Sequence, residues 1–190
     1  PQDELVAGPS GIGYMYPSDW PTAHLPVFLE HTGQAMRQMD LTTLEVLDSN
    51  FLRDIPLMLR ALFKGSGMAL IDRNLQRTFV AALSPFGLGG ILSGAGQNSA
   101  SWIIISGVPV YQSLGIAESV DELLSLLRHA SAAQVHRPSF LHVYILAWKM
   151  TPSSITQAVQ QLGSEYEVVT PGTLLAMLAE AKKASESASS

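Results

Sequence analysis

Tyr14 and Tyr16 stand one residue apart in the run Gly11-Ile12-Gly13-Tyr14-Met15-Tyr16-Pro17. In an extended segment residues two apart share a side, so both phenols are expected to face the same way. Glycine permits turns that a side chain forbids, and proline fixes the exit of the loop. An ordered loop with two aromatic faces and two hydroxyls suits a flat polar ligand such as a sugar. The competing role is structural, with both rings plugging the end of a core. Trp20 follows closely, next to Asp19, and Trp148 belongs to the same aromatic set. Trp102 opens an apolar run and is expected to pack inside.

A second group of reactive side chains falls where predicted strands end, which is where ligands collect in parallel sheets. These are Asp48, Ser49 and Asn50 after one strand, Asp72, Arg73 and Asn74 after another, and Lys149 after a third. Capping the next helix is the ordinary use of such residues, and with three of them in a row at 48–50 one is left for other work. Glu45 and Asp54 fall inside predicted elements, where a solvated or ion-paired role is expected. His142 shares one face of an extended run with Phe140, Tyr144, Leu146 and Trp148, as a bonded core residue or as an inward-facing site residue. The other histidines, at 24, 31, 129 and 136, include no pair four apart, so no helical metal pair exists and no metal is expected.

Several reactive motifs fail. Gly8-Pro9-Ser10-Gly11-Ile12 lacks the last glycine of a nucleophile elbow, so Ser10 is not a supported nucleophile. Gly11-Ile12-Gly13 lacks the third glycine of a dinucleotide fingerprint, and no Gly-Lys-Ser/Thr run cradles phosphate. No cofactor is expected.

The elements that must position these residues alternate. Leu5 to Gly8 reads as a strand end feeding the tyrosine loop. A helix capped by Thr22 carries Leu25, Phe28, Leu29, Met36 and Met39 on one face. A strand over 42–48 is followed by a helix marked by Leu52, Ile55, Leu59, Leu62 and Phe63, then by a strand over 67–72. Residues 75–101, rich in glycine, read as a long loop with one short helical piece. Trp102 to Ser106 and Gly107 to Val110 are extended, and Ser119 with Glu122 forms a capping box. Phe140 to Trp148 is the most convincing strand. Thr151-Pro152 and Thr170-Pro171 each open a helix. About six strand-and-helix units predict an α/β fold with a parallel sheet, short of the eight strands that close a barrel.

The chain has 190 residues, enough for one domain, with 47% hydrophobic and only 14% charged residues and a net charge of −5. That low charge is consistent with part of the surface being covered by another region of a longer protein. Without a cluster of Lys and Arg, neither nucleic acid nor an anionic membrane surface is an expected partner. The apolar stretch from Phe79 to Leu92 is broken by Pro85 and glycines, short of the roughly 18 residues a membrane span requires. There are no cysteines, so disulfide and thiolate chemistry are excluded.

The run from Gly11 to Pro17 resembles, position for position, the GxGYxYP signature of a family of putative glycoside hydrolases. Pro138 to Trp148 and Tyr166 to Leu175 are similar to that family's C-terminal domain, so the likeness spans about residues 5 to 180. It implies a barrel-like, incomplete TIM-like fold, with an open doubly wound sheet as the alternative, and an exported or extracellular location. Length and composition predict one domain over 1–181 with a frayed Ala/Ser/Lys/Glu tail over 182–190, and the resemblance implies that this is the later portion of a protein whose N-terminal region lies elsewhere. The implied activity is hydrolysis or binding of saccharides. Glycoside cleavage uses two carboxyl groups flanking the bond, for which Asp48 and Asp72 are the expected pair. Tyr14, Tyr16, Trp20, Asp19, Asn50, His142 and Trp148 would contact the substrate. The alternative is a non-catalytic carbohydrate-binding or interaction domain.

Overall fold

Leu44 and Val46 alternate with Thr43 and Glu45, so a strand here presents an apolar side and a polar side to different neighbours. The computed structural model, which describes residues 3–17, 20–47, 73–95, 101–134 and 137–187, builds that strand as β1, Thr43–Val46. It pairs in parallel with β2, Gly90–Ala95, which pairs in parallel with β4, Val108–Ser113. β3, Ser101–Ile105, lies antiparallel on the far edge, giving the order β1-β2-β4-β3. Ser106 and Gly107 both take positive φ, 49° and 85°, which is the two-residue hairpin turn that joins β3 to β4. On the other edge, Ala7 bridges Leu44 in parallel, so the segment before the tyrosine loop does behave as a strand end.

Helices cover both faces. α1, Leu25–Gln38, and α2, Arg73–Leu83, bury Leu29, Met36, Phe79, Val80 and Leu83 against Leu44, Val46, Ile91 and Val110. On the opposite face α5, Pro171–Ser187, packs Leu175 and Leu178 on Leu92 and Tyr111. Every residue of β4 is buried, the expected consequence of a strand covered twice. The chain then leaves β4 into β5, Ile116–Ala117, crosses through α3, Val120–Ala133, and returns as β6, Tyr144–Ile145, parallel to β5. α3 and α4, Pro152–Gln161, close a second core around Leu123, Leu124, Met150 and Ala158.

The protein is therefore a mixed α/β structure with a mostly parallel sheet, and the sheet does not close into a barrel among the described residues. Three expectations need correction. The stretch 75–101 is no long loop: it contains α2 and the central strand β2. Gly90 fits there because a Cβ would lie 2.7 Å from the Leu175 side chain, so the glycine that made the run look irregular admits α5. The strand expected from Phe140 to Trp148 shrinks to two residues, because backbone pairing with Leu114, Gly115 and Ala117 occupies only one edge. Thr22 starts a short 3-10 turn, and His24 rather than Thr22 sits at the N-cap of α1 without a side-chain bond. The other caps form: Ser119 Oγ accepts from Glu122 N at 3.2 Å, Thr151 Oγ1 from Ser154 N at 3.2 Å and Thr170 Oγ1 from Thr173 N at 3.3 Å. No helix of the described residues is long and apolar enough to cross a membrane. The strand expected over 67–72 and the helix marked by Leu52 to Phe63 lie outside the described residues.

Candidate functional site

The tyrosine loop is fastened to the carboxyl end of β1. Ser10, fully buried and at φ 68°, donates its backbone N–H to Glu45 O at 2.6 Å. Its Oγ donates to Leu47 O at 3.0 Å and accepts from Leu47 N at 3.2 Å. Ser10 is thus an anchor, and its hydroxyl is committed to backbone. A second tie runs to α1, where Ile12 N donates to Thr32 Oγ1 at 3.3 Å.

From these anchors the loop alternates: Met15 turns into the core while Tyr14 and Tyr16 face solvent, 67% and 38% exposed. Their hydroxyls meet at 3.2 Å, and their rings stand edge to face at 5.7 Å. The shared hydrogen bond with Tyr16 holds the Tyr14 phenol above its usual pKa, with the charge of Glu45 a smaller contributor. Trp20 is 38% exposed and leans on Phe28, ring centroids 5.4 Å apart.

Only one of the two loop glycines is conformationally required. Gly11 has φ 139°, and a Cβ would lie 2.5 Å from Thr32 Oγ1 and 2.7 Å from the Phe28 ring. Around Gly13 nothing lies within 4 Å. Gly11→Ala should therefore cost about 1–3 kcal/mol in chemical denaturation, from strain and overpacking. Gly13→Ala should stay within about 0.5 kcal/mol. Equal costs would contradict this geometry.

Beyond the loop, the α5 face of the sheet carries a polar cluster. Glu45, Leu92 and Tyr111 are register partners in one row across β1, β2 and β4. Tyr111 Oη donates to Phe140 O at 2.7 Å, which pins the chain leading to β6 over that row. His142 then sets its ring edge to face on Tyr111 at 6.4 Å and on Tyr144 at 4.9 Å. The Nδ1 of His142 bonds Ser113 Oγ at 2.7 Å. Burial lowers the His142 pKa to about 4, so the ring is neutral at pH 7. The Tyr144 hydroxyl is buried without a hydrogen-bond partner among the described residues, and Glu45 and Ser113 lie near enough to influence its charge. Burial pushes its pKa up, as it does that of Tyr111.

Glu45 is the residue that sequence reasoning set aside. It is half-buried and makes no ion pair with a described residue, and loss of hydration raises its carboxyl above the ordinary value. The opposing influence is the Tyr144 hydroxyl, which favours the carboxylate. A signal existed in the period-2 alternation that placed Glu45 opposite Leu44 and Val46. What could not be seen was that β6, 99 positions after Glu45, covers that polar side (Tyr144).

Of the other expected residues, His142 joins the cluster and Trp148 stands 77% exposed in the turn after β6. Asp19, Asp48, Asn50 and Asp72 lie outside the described residues. Among the described residues no group of three His, Asp or Glu could hold a metal ion. A separate cavity of about 570 Å³ opens between α3, α4 and the start of α5, with apolar walls that include Leu127, Ile155, Val159 and Met177. It reaches His142 but neither loop tyrosine nor Glu45.

A family model described as the GxGYxYP putative glycoside hydrolase C-terminal domain matches residues 1–179. The chain belongs to this family. Its signature residues directly follow Ser10, which ties the loop to the carboxyl end of β1. No curated protein and no solved structure matches the chain.

Proposed function

We propose that this GxGYxYP domain handles saccharides as part of a glycoside hydrolase, with Glu45 as a carboxyl acid and Tyr14 and Tyr16 as the sugar-facing platform. The observation that carries the reading is a half-buried carboxyl of raised pKa on the strand to whose end Ser10 fastens the loop that bears two solvent-facing phenols of the family signature. A carboxyl that holds its proton more tightly than usual is suited to protonate a departing glycosidic oxygen, and a second, ionised carboxyl is needed opposite. Asp48, three residues after Glu45, and Asp72 are the proposed sources of that second group, with Asp19, Asn50 and Trp20 as further substrate contacts. Within the same reading the sheet is an arc of a barrel-like enclosure that another region of a longer protein completes.

The deciding measurement is release of reducing ends from a panel of glycans by the full-length protein and its Glu45→Gln and Asp48→Asn variants. A glycan cleaved equally by all three would remove the catalytic assignment. The wide exposure of Tyr14 favours a second reading, a binding domain without turnover. For either reading, Tyr14→Ala and Tyr16→Ala should each weaken saccharide binding roughly 2- to 10-fold in calorimetric titration, from about 0.5–1.5 kcal/mol of aromatic contact. Unchanged binding in both would remove the tyrosines from the site.

A further inference from the structure

Gln76 and Gln112 carry long amide side chains of a kind that is mostly exposed, yet the fold leaves them only 1% and 4% exposed. Gln76 reaches from the first turn of α2 to β2, where its Nε2 donates to Ser93 Oγ at 2.9 Å. Its Oε1 is buried without a hydrogen-bond partner among the described residues. The Ser93 hydroxyl can donate as well as accept, so turning the amide over only exchanges which of its atoms is left. Either way one polar atom of Gln76 stays unpaired. Such groups cost free energy and are rare in folded proteins.

The unpaired atom belongs to a polar row. Ser93 is the register partner of Gln112 on β4, and Gln112 is that of Ser101 on β3, so the three side chains share the sheet face under α2. Two residues back along the same strands, Ile91, Val110 and Ile103 belong to the apolar core. Core thus gives way to hydroxyl and amide at the carboxyl ends of β2 and β4, the edge where parallel sheets receive ligands. Ser101 is exposed, so the row ends at solvent on the β3 side. Just past Ser93 the register of β2 on β4 slips at Gly94, φ 52°, a bulge of the kind found next to binding sites. The row also adjoins the tyrosine loop. Val46, the β1 partner of Ser93, precedes Leu47, whose backbone holds the Ser10 hydroxyl.

We propose that Gln76, Ser93 and Gln112 form a binding recess for the hydroxyls of an uncharged polyol, one of which completes the unpaired amide atom of Gln76. This deepens the saccharide reading and rests on it only for the polyol being a sugar. An amide offers an NH2 donor and a carbonyl acceptor side by side, and a sugar hydroxyl is donor and acceptor at once, so the two match in either orientation. The ligand is neutral because the recess is. No Asp, Glu, Lys, Arg or His occurs from Thr78 to Ala117, the run that contains β2, β3 and β4. Arg73 and Arg77, the cations nearest Gln76 in the chain, are exposed on α2 while Gln76 is buried. A uronate or sugar phosphate would lose its hydration there without meeting a counter-charge.

The test follows the side-chain amide signals of Gln76 and Gln112 in the nitrogen-15 NMR spectrum of the wild-type protein as glycerol, glucose, cellobiose or glucuronate is added. It needs no turnover. Both amides should shift saturably with the neutral sugars and not with glucuronate. Gln76→Leu and Gln112→Leu should each weaken the same sugar about 2- to 10-fold in calorimetric titration, the loss of one hydrogen bond. Should Gln76→Leu fail to fold, Gln112→Leu is read alone. Amides that stay still with glycerol and both neutral sugars overturn the proposal, and so does an equal response to glucuronate. Shifts with glycerol but with neither sugar leave a polyol recess standing and remove the saccharide reading. Sugar binding that moves the signals of Tyr14 and Tyr16 while both amides stay still does the reverse.

Discussion

Glu45→Gln should lower turnover of any cleaved glycan by about 10²- to 10⁴-fold, the range expected when a general acid is replaced by an amide. The same substitution should make the protein more stable at pH 7. Glu45 has its folded-state pKa raised by burial, so its contribution is fully present below the ordinary carboxylate value and is lost as pH rises through the raised value. Glutamine keeps the shape and carries no charge, so the variant should match the wild type near pH 4 and exceed it near neutrality. A residue that merely supported the fold would not show loss of activity with gain of stability; that opposition marks a group kept for chemistry at a cost in stability. Stability measured by urea denaturation at pH 4 and pH 7, beside turnover, checks both halves. A Glu45→Gln protein less stable than wild type at pH 7 would refute the burial argument.

The second large effect concerns His142 and runs in the opposite direction with pH. Its folded-state pKa is lowered to about 4 by burial, against about 6.5 when unfolded, so its contribution is present above 6.5 and is lost as pH falls towards 4. At 1.36 kcal/mol per unit, the wild type should lose about 3 kcal/mol over that window, as protonation forces a cation into the space between Tyr111 and Tyr144. His142→Gln keeps a partner for Ser113 without the titration. It should begin less stable at pH 7, through poorer packing, and show a flatter acid limb. Parallel stability curves for the two proteins between pH 7 and 4 would show that His142 does not carry the acid sensitivity. Carboxyl protonation sets in at the lower end of this window, so the upper part, from pH 6.5 to 5, is the cleaner reading.

How far the sequence reached depended on how local the cause was. The tyrosine loop was legible because glycine, proline and a period of two act within a few residues. Its outcome, Met15 inward with Tyr14 and Tyr16 outward, follows from that period. The caps at Ser119, Thr151 and Thr170 were legible for the same reason, since each is settled within three residues. β2 was missed because Gly90 and Gly94 lower local strand propensity, while what makes it a strand is pairing with β1 and β4 at distant positions. Phe140 to Trp148 erred the other way: its composition favours a strand throughout, but only Tyr144–Ile145 has a paired neighbour at β5. Glu45 looked like a solvated strand residue because nothing within ten positions of it shows that its side of the sheet is covered.

Membership of a signature family, an α/β alternation and an aromatic loop at a strand end were therefore written in the order of the residues, where short-range sterics and hydrogen bonding decide. Which carboxyl of the sheet would lose its hydration was not. That depended on β6 and α5 arriving from the last third of the chain to cover the second face of the sheet. Their arrival takes water away from Glu45, His142 and Tyr144 together. Hydration belongs to the folded surroundings of a group and not to its place in the chain, so only the tertiary structure could turn Glu45 from an ordinary surface carboxylate into one of raised pKa.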